Sequence, residues 1–170
     1  MARKVFFSFH YERDIWRTNV VRNSGIVEGT SAAGFHDASL WEEAKKKGDA
    51  DVKKLIDKGL VGTSVTVVLI GAETSKRKFV DYEIEQSIAR GNGLLGIYIS
   101  GIKDQNGNTD TQGPAPSRLI TAGAPREYWD RSKFGEWVEA ADGASDEDLP
   151  DIDERGQRCR MWWEPTDSRS

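Results

Sequence analysis

"TSVTVVLIGAETSKRKFVDYEIEQSIARGNGLLGIYIS", residues 63–100, is the stretch whose reading decides the fold. Its first part, "SVTVVLIG" (64–71), is a nearly unbroken apolar run rich in β-branched residues. Such a run suits a strand with both faces covered by helices. The middle reads as a helix, with Val80, Ile84 and Ile88 recurring at helical spacing. The helix runs into a Gly-rich break, and "LLGIYIS" (94–100) follows as a second buried strand. Strand, helix and strand joined by short turns make a parallel βαβ unit. One residue on the helix needs explaining. Glu83 falls roughly 90° from the centre of the apolar stripe, with Phe79 and Gln86 on the same side. It is a carboxylate at the margin of a buried face, in the first turns after a strand.

Outward from this unit the alternation continues. "KVFFSF" (4–9) reads as a buried first strand, and "YERDIWRTNVVRNS" (11–24) as a helix carrying Ile15, Trp16, Val20 and Val21. "GFHDAS" (34–39) holds a weak second strand, placed at 34–37. "SLWEEAKKKGDADVKKLIDKGLVG" (39–62) holds two helical pieces, with Leu55 and Ile56 inward and glycines closing the segment. Beyond residue 100, positions 101–126 are rich in Gly, Pro and Asn and read as a long irregular loop. "EYWD" (127–130) suits a short edge strand and "SKFGEWVEAAD" (132–142) a last helix. The expected organisation is one domain over 1–142 and an acidic extension over 143–170. The "MWW" at 161–163 is expected to dock on the body as a packing clamp.

The chain of 170 residues is long enough for a real core. Its net charge of −4 argues against a general nucleic-acid binder. A single cysteine, Cys159, excludes an internal disulfide framework and a Cys-based zinc site, and fits a reducing compartment. No apolar run approaches the roughly 18 residues of a membrane helix, and "VFFSF" is too short for a signal peptide. The expectation is a cytoplasmic protein with no membrane and no metal.

In open α/β sheets, ligands bind at the C-terminal ends of strands, where the strand order reverses. Those ends are Phe9-His10-Tyr11, His36-Asp37 and Gly71–Thr74. Both histidines of the chain fall there, and Glu83 faces the same rim. No G-x-G-x-x-G, P-loop or G-x-S-x-G motif is present. Neither a hydroxyl-rich flavin-phosphate loop nor the acidic set of a phosphoacceptor receiver stands at these ends.

"KVFFSFHYERD" resembles the opening strand and loop of a Toll/interleukin-1 receptor (TIR) domain. "FVDYEI" is similar to the aromatic-x-x-x-Glu-aliphatic signature of the TIR catalytic helix. The stretch 34–99 resembles the prokaryotic TIR-like subgroup of Thoeris antiphage defence. The resemblance covers roughly residues 3–100. It implies a flavodoxin-like, doubly wound parallel sheet of about five strands, with the 101–126 loop as an insertion and a C-terminal extension. It also implies cleavage of the nicotinamide–ribose bond of NAD, which is then substrate rather than cofactor. Glu83 stands at the catalytic position, and Ser8 and Phe9 match the serine and aromatic that end the first strand. The usual Trp-Cys pair ahead of the glutamate is Phe79-Val80 here, so the aromatic is kept. The expected substrate-binding set is Ser8, Phe9, His10, Asp37 and Phe79.

That chemistry accounts for a sheltered carboxylate. Nicotinamide leaves as a neutral molecule from a cationic ring, so no general acid is needed. The enzyme must orient the ribose and stabilise an oxocarbenium-like centre. Attack by water gives ADP-ribose; attack by a second-ribose hydroxyl gives a cyclic isomer, suited to be a messenger for a separate effector protein. Plainer readings stand beside these. Glu83 suits a solvated first-turn glutamate, His10 and His36 suit loop or capping roles, Asp37 suits a helix cap, and Trp41 suits the core. Glu85 and Lys45–Lys47 suit the solvated surface. A non-catalytic module acting through TIR–TIR assembly is the alternative function.

Overall fold

The computed structural model describes the backbone of residues 4–30 and 38–147, and side chains over 4–27 and 43–142. Five parallel strands form one sheet: β1 (Lys4–Ser8), β2 (Glu28–Thr30), β3 (Val65–Ile70), β4 (Gly93–Tyr98) and β5 (Arg126–Tyr128). Their order is β2-β1-β3-β4-β5, the flavodoxin-like arrangement. The chain returns past β1 to place β3 on its other side, with Ser8 opposite Val68. The β1/β3 boundary is therefore the switch point of the sheet.

Two layers cover the sheet because its strands present apolar side chains to both faces. Helices α1 (Tyr11–Arg22) and α6 (Arg131–Glu147) cover one face. There Val21, Phe134, Val138 and Ala141 pack on Val5, Phe7, Val67, Leu69, Leu95 and Ile97. The opposite face carries α2 (Ala38–Lys47), α3 (Asp49–Leu60), α4 (Lys78–Ala89) and α5 (Ser117–Thr121). Val52, Ile56 and Leu60 of α3 enclose Phe6; Val80, Ile84 and Leu119 enclose Val68 and Ile70. A 3₁₀ turn at Thr74–Lys76 joins β3 to α4.

The parallel α/β architecture expected from the sequence is present, and β1, β3 and β4 lie within a residue or two of their expected spans. The second strand is at Glu28–Thr30. The expected span 34–37 lies outside the described residues. Glu28-Gly29-Thr30 is a three-residue edge strand pairing only with β1; it lacks the apolar run that marks a buried strand. The 101–126 segment is more ordered than its composition suggests, because it contains α5 and a clamped loop. Arg17, almost fully buried, donates to Ile102 O (2.8 Å) and Asn108 O (3.0 Å). Arg13 grips Asp110 with two hydrogen bonds of 3.1 and 3.0 Å. Asp104 Oδ1 accepts from the backbone of Asn106 and Asn108. Gly113 seats this loop on the end of β3, where a Cβ would stand 2.4 Å from Ala72 O. The last helix extends through Glu147, so the boundary drawn at 142/143 falls inside it. Residues 161–163 lie outside the described residues.

Candidate functional site

Helix α4 is held in one rotation about its axis. Val80 and Ile84 enter the core, and Ser87 Oγ stands 2.6 Å from Thr66 Oγ1 on β3 while donating to Glu83 O at 2.7 Å. The buried positions are therefore 80, 83, 84 and 87, an i, i+3, i+4, i+7 stripe. Ile88 is only partly buried. This corrects the reading of Glu83 as a boundary residue: it lies within the buried stripe, 5 % exposed. The sequence stripe was centred too far round because Ser87 carries no apolar signal. Its burial depends on a hydrogen bond to another element. Glu85, one step along, is exposed and pairs with Arg118 at 3.6 Å.

Burial raises the Glu83 pKa to about 8, because removing water penalises the charged form. The Ser8 hydroxyl, approaching from the end of β1, pulls in the opposite direction. The two do not close a bond of good geometry: Ser8 Oγ and Glu83 Oε2 are both buried without a hydrogen-bond partner. A buried polar atom left this way costs stability and is uncommon in folded proteins.

Glu83 opens onto a cleft lined by Phe9, His10, Tyr11, Glu12, Arg77, Phe79 and Val80, with a free volume of about 20 Å³. The cleft lies beside the switch point, between the residues that leave β1 and the start of α4. Phe9 stacks on Tyr11 with ring centres 5.7 Å apart, and Lys78 Nζ sits 5.0 Å over the Phe79 ring. His10 begins α1 without capping it through its side chain. The ring is 8 % exposed, and both nitrogens lack partners. Burial and the nearby Arg77 guanidinium hold its pKa below the usual histidine value, so the ring is neutral at pH 7. Glu12 at the mouth pairs with Lys45 Nζ at 2.5 Å, which keeps its carboxyl below the usual range.

Of the expected site residues, Phe9, His10, Phe79 and Glu83 share this cleft. Ser8 touches it only through Glu83. Asp37 lies outside the described residues, as do His36 and the side chain of Trp41. Tyr11, named from sequence only as part of a strand end, also lines the cleft, and so do Arg77 and Glu12, which were not singled out from sequence. The rule that ligands gather at C-terminal strand ends points at Tyr11 and Glu12; Arg77 immediately precedes the helix that carries Glu83.

Comparison with known proteins agrees with this fold. Residues 6–104 match the family model for the TIR-like domain of the Thoeris protein ThsB. A protein of Bacillus cereus (strain MSX-D12), provisionally named cyclic ADP-D-ribose synthase ThsB1, is 53% identical over 118 residues. That alignment covers 68% of this chain and 62% of the relative's length. The chain belongs to the family of Thoeris ThsB TIR-like domains.

Proposed function

We propose that the chain cleaves the nicotinamide–ribose bond of NAD and releases an ADP-ribose-derived, cyclic signalling nucleotide in antiphage defence. A separate effector protein would sense the product. The observation that supports this most is Glu83: a buried carboxyl, one oxygen unpartnered, opening on an aromatic-walled cleft at the sheet's switch point. The name of the Bacillus cereus relative points to the same chemistry. With its pKa near 8, free Glu83 is mostly protonated at neutral pH. A cationic nicotinamide ring brought beside it favours the ionised form. The carboxylate then accepts from ribose hydroxyls and faces the positive charge that grows as nicotinamide departs. Low local dielectric strengthens that interaction. Phe9 and Phe79 supply flat apolar walls for the rings.

The alternative, a module acting only by TIR–TIR assembly, is favoured by one feature. Free volume of about 20 Å³ is far below the roughly 300 Å³ or more of a typical small-molecule site. Under the enzymatic reading, substrate entry moves the cleft walls. The two readings separate in lysates of phage-infected cells expressing wild type, Glu83→Gln or Glu85→Gln, with nicotinamide and cyclic ADP-ribose isomers followed by mass spectrometry. The expected loss for Glu83→Gln is on the order of 100-fold or more, with Glu85→Gln at wild-type level. Products from wild type no higher than in infected cells lacking the chain would establish the assembly reading, and unchanged products from Glu83→Gln would take Glu83 out of the chemistry.

A further inference from the structure

Arg77 differs from the other cleft residues in carrying a full positive charge, felt by Glu12 and His10 through space only. It is half-buried in the cleft wall, and its side chain makes no hydrogen bond or ion pair among the described residues. The two carboxylates that act on His10 are engaged elsewhere, Glu12 with Lys45 and Glu73 with Arg13 at 3.5 Å, and Asp81 is the acidic residue in the first turn of α4. Arg77 also occupies the N-cap position of α4, where its side chain accepts no hydrogen bond. The first turn of this twelve-residue helix is thus left without a side-chain cap, and its N–H groups and dipole favour an anion. His10, more than nine-tenths buried and lining the same cleft, adds a neutral ring with both nitrogens unpartnered.

We propose that Arg77, the open N-terminus of α4 and His10 form an anion subsite that holds the diphosphate of a dinucleotide, one ribose away from Glu83. The inference rests on the NAD reading and deepens it. Six positions separate Arg77 from Glu83, roughly 9 Å along a helix axis. The scissile glycosidic carbon and the nearer phosphate of a nucleotide are closer together than that, so the Arg77 and Glu83 side chains, which line one cleft, would converge on the ribose. With Glu83 on the ribose hydroxyls and Arg77 on the phosphates, the ribose is fixed from both sides. Arg77 is then a positioning and specificity residue. It makes the site select dinucleotides over nicotinamide nucleosides that lack a phosphate. A guanidinium suits this role because it donates two parallel hydrogen bonds to phosphate oxygens.

Binding is measured by calorimetry on the full chain with two probes, ADP-ribose and nicotinamide riboside. The proteins are wild type, Arg77→Ala, Arg77→Lys and Arg90→Ala; the last removes one charge from the far, exposed end of α4. Arg77→Ala is expected to weaken ADP-ribose roughly 10- to 100-fold, the loss of a charge-assisted hydrogen bond. Arg77→Lys recovers part of it, Arg90→Ala binds as wild type, and nicotinamide riboside binds equally to all four. Equal ADP-ribose affinity in wild type and Arg77→Ala, with ADP-ribose binding retained, overturns the subsite and leaves the NAD reading standing. Equal weakening of nicotinamide riboside by Arg77→Ala also overturns it, since the residue then shapes the cleft rather than reading phosphate. Failure of wild type to bind either probe removes the NAD reading and the subsite with it.

Discussion

A carboxyl group with a pKa near 8 destabilises the fold that holds it, and the sign can be followed through pH. Glu83 titrates at about 8 folded and near 4.5 unfolded. Between those values the native state binds more protons than the unfolded state, so stability falls as pH rises from about 4.5 to 8. Glu83→Gln keeps the shape and removes that titration. Melting curves of the two proteins are expected to coincide most closely near pH 4.5 and diverge toward pH 8, with the variant the more stable by up to ~5 kcal/mol. Parallel curves across this range would show that Glu83 is not desolvated in solution. The same group sets an activity profile. In the proposed reaction the carboxylate acts ionised, so kcat/KM of activated protein should rise with pH up to about 8. A second buried carboxyl, Asp14, has its pKa raised to about 6, by burial first. Both its oxygens lack partners, and it leans on Gly71, where a Cβ would stand 2.3 Å from Oδ2. Gly71→Ala therefore overpacks this contact, at a cost of about 1–3 kcal/mol in Tm and denaturant measurements.

At the scale of elements, the loop after β4 shows how order arises without regular structure. Arg17 satisfies the carbonyls of Ile102 and Asn108 from inside the protein, while Arg13 holds Asp110 from the surface. The two arginines are one turn apart on α1 and differ in burial, so their removal should differ in cost. Arg17→Ala leaves the Ile102 carbonyl without its donor, while Asn108 O keeps the Asp104 N–H at 2.9 Å; the expected loss is about 1–3 kcal/mol, with faster amide exchange across residues 102–110. Arg13→Ala breaks a solvent-screened pair and should cost within ~1 kcal/mol. Equal effects would mean that the clamp is not organised by burial. None of this was visible in a sequence read as Gly, Pro and Asn rich. The arginines sit about ninety positions from their acceptors, and no local pattern joins them. Helix α4 teaches the same point. Val80 and Ile84 announce its inner face, but the position that fixes Glu83 inside it is Ser87, a polar residue buried by its bond to Thr66.

Across the whole molecule, α6 is the element on which the sheet's second face depends. Phe134 and Val138 are fully buried against strands β1, β3 and β4. Each such side chain contributes about 1.5–3 kcal/mol on burial, against a total of about 5–15 kcal/mol for a domain. A chain stopped after Asp130 should lack a cooperative thermal transition, and Phe134→Ala in the full chain should lose about 3–5 kcal/mol. A sharp transition in the shortened chain would show that α1 alone closes that face. The sequence by itself determined the alternation of strands and helices, the parallel sheet and the rim at which Phe9, His10, Phe79 and Glu83 meet. These follow from local periodicity and from a topological rule that needs only the order of elements. The tertiary structure alone decided the depth of Glu83, the position of the second strand, the clamp on the 101–113 loop and the place of Arg77 in the cleft. Each depends on partners distant in the chain, where burial and hydrogen bonding are set by packing between elements and leave no period in the sequence.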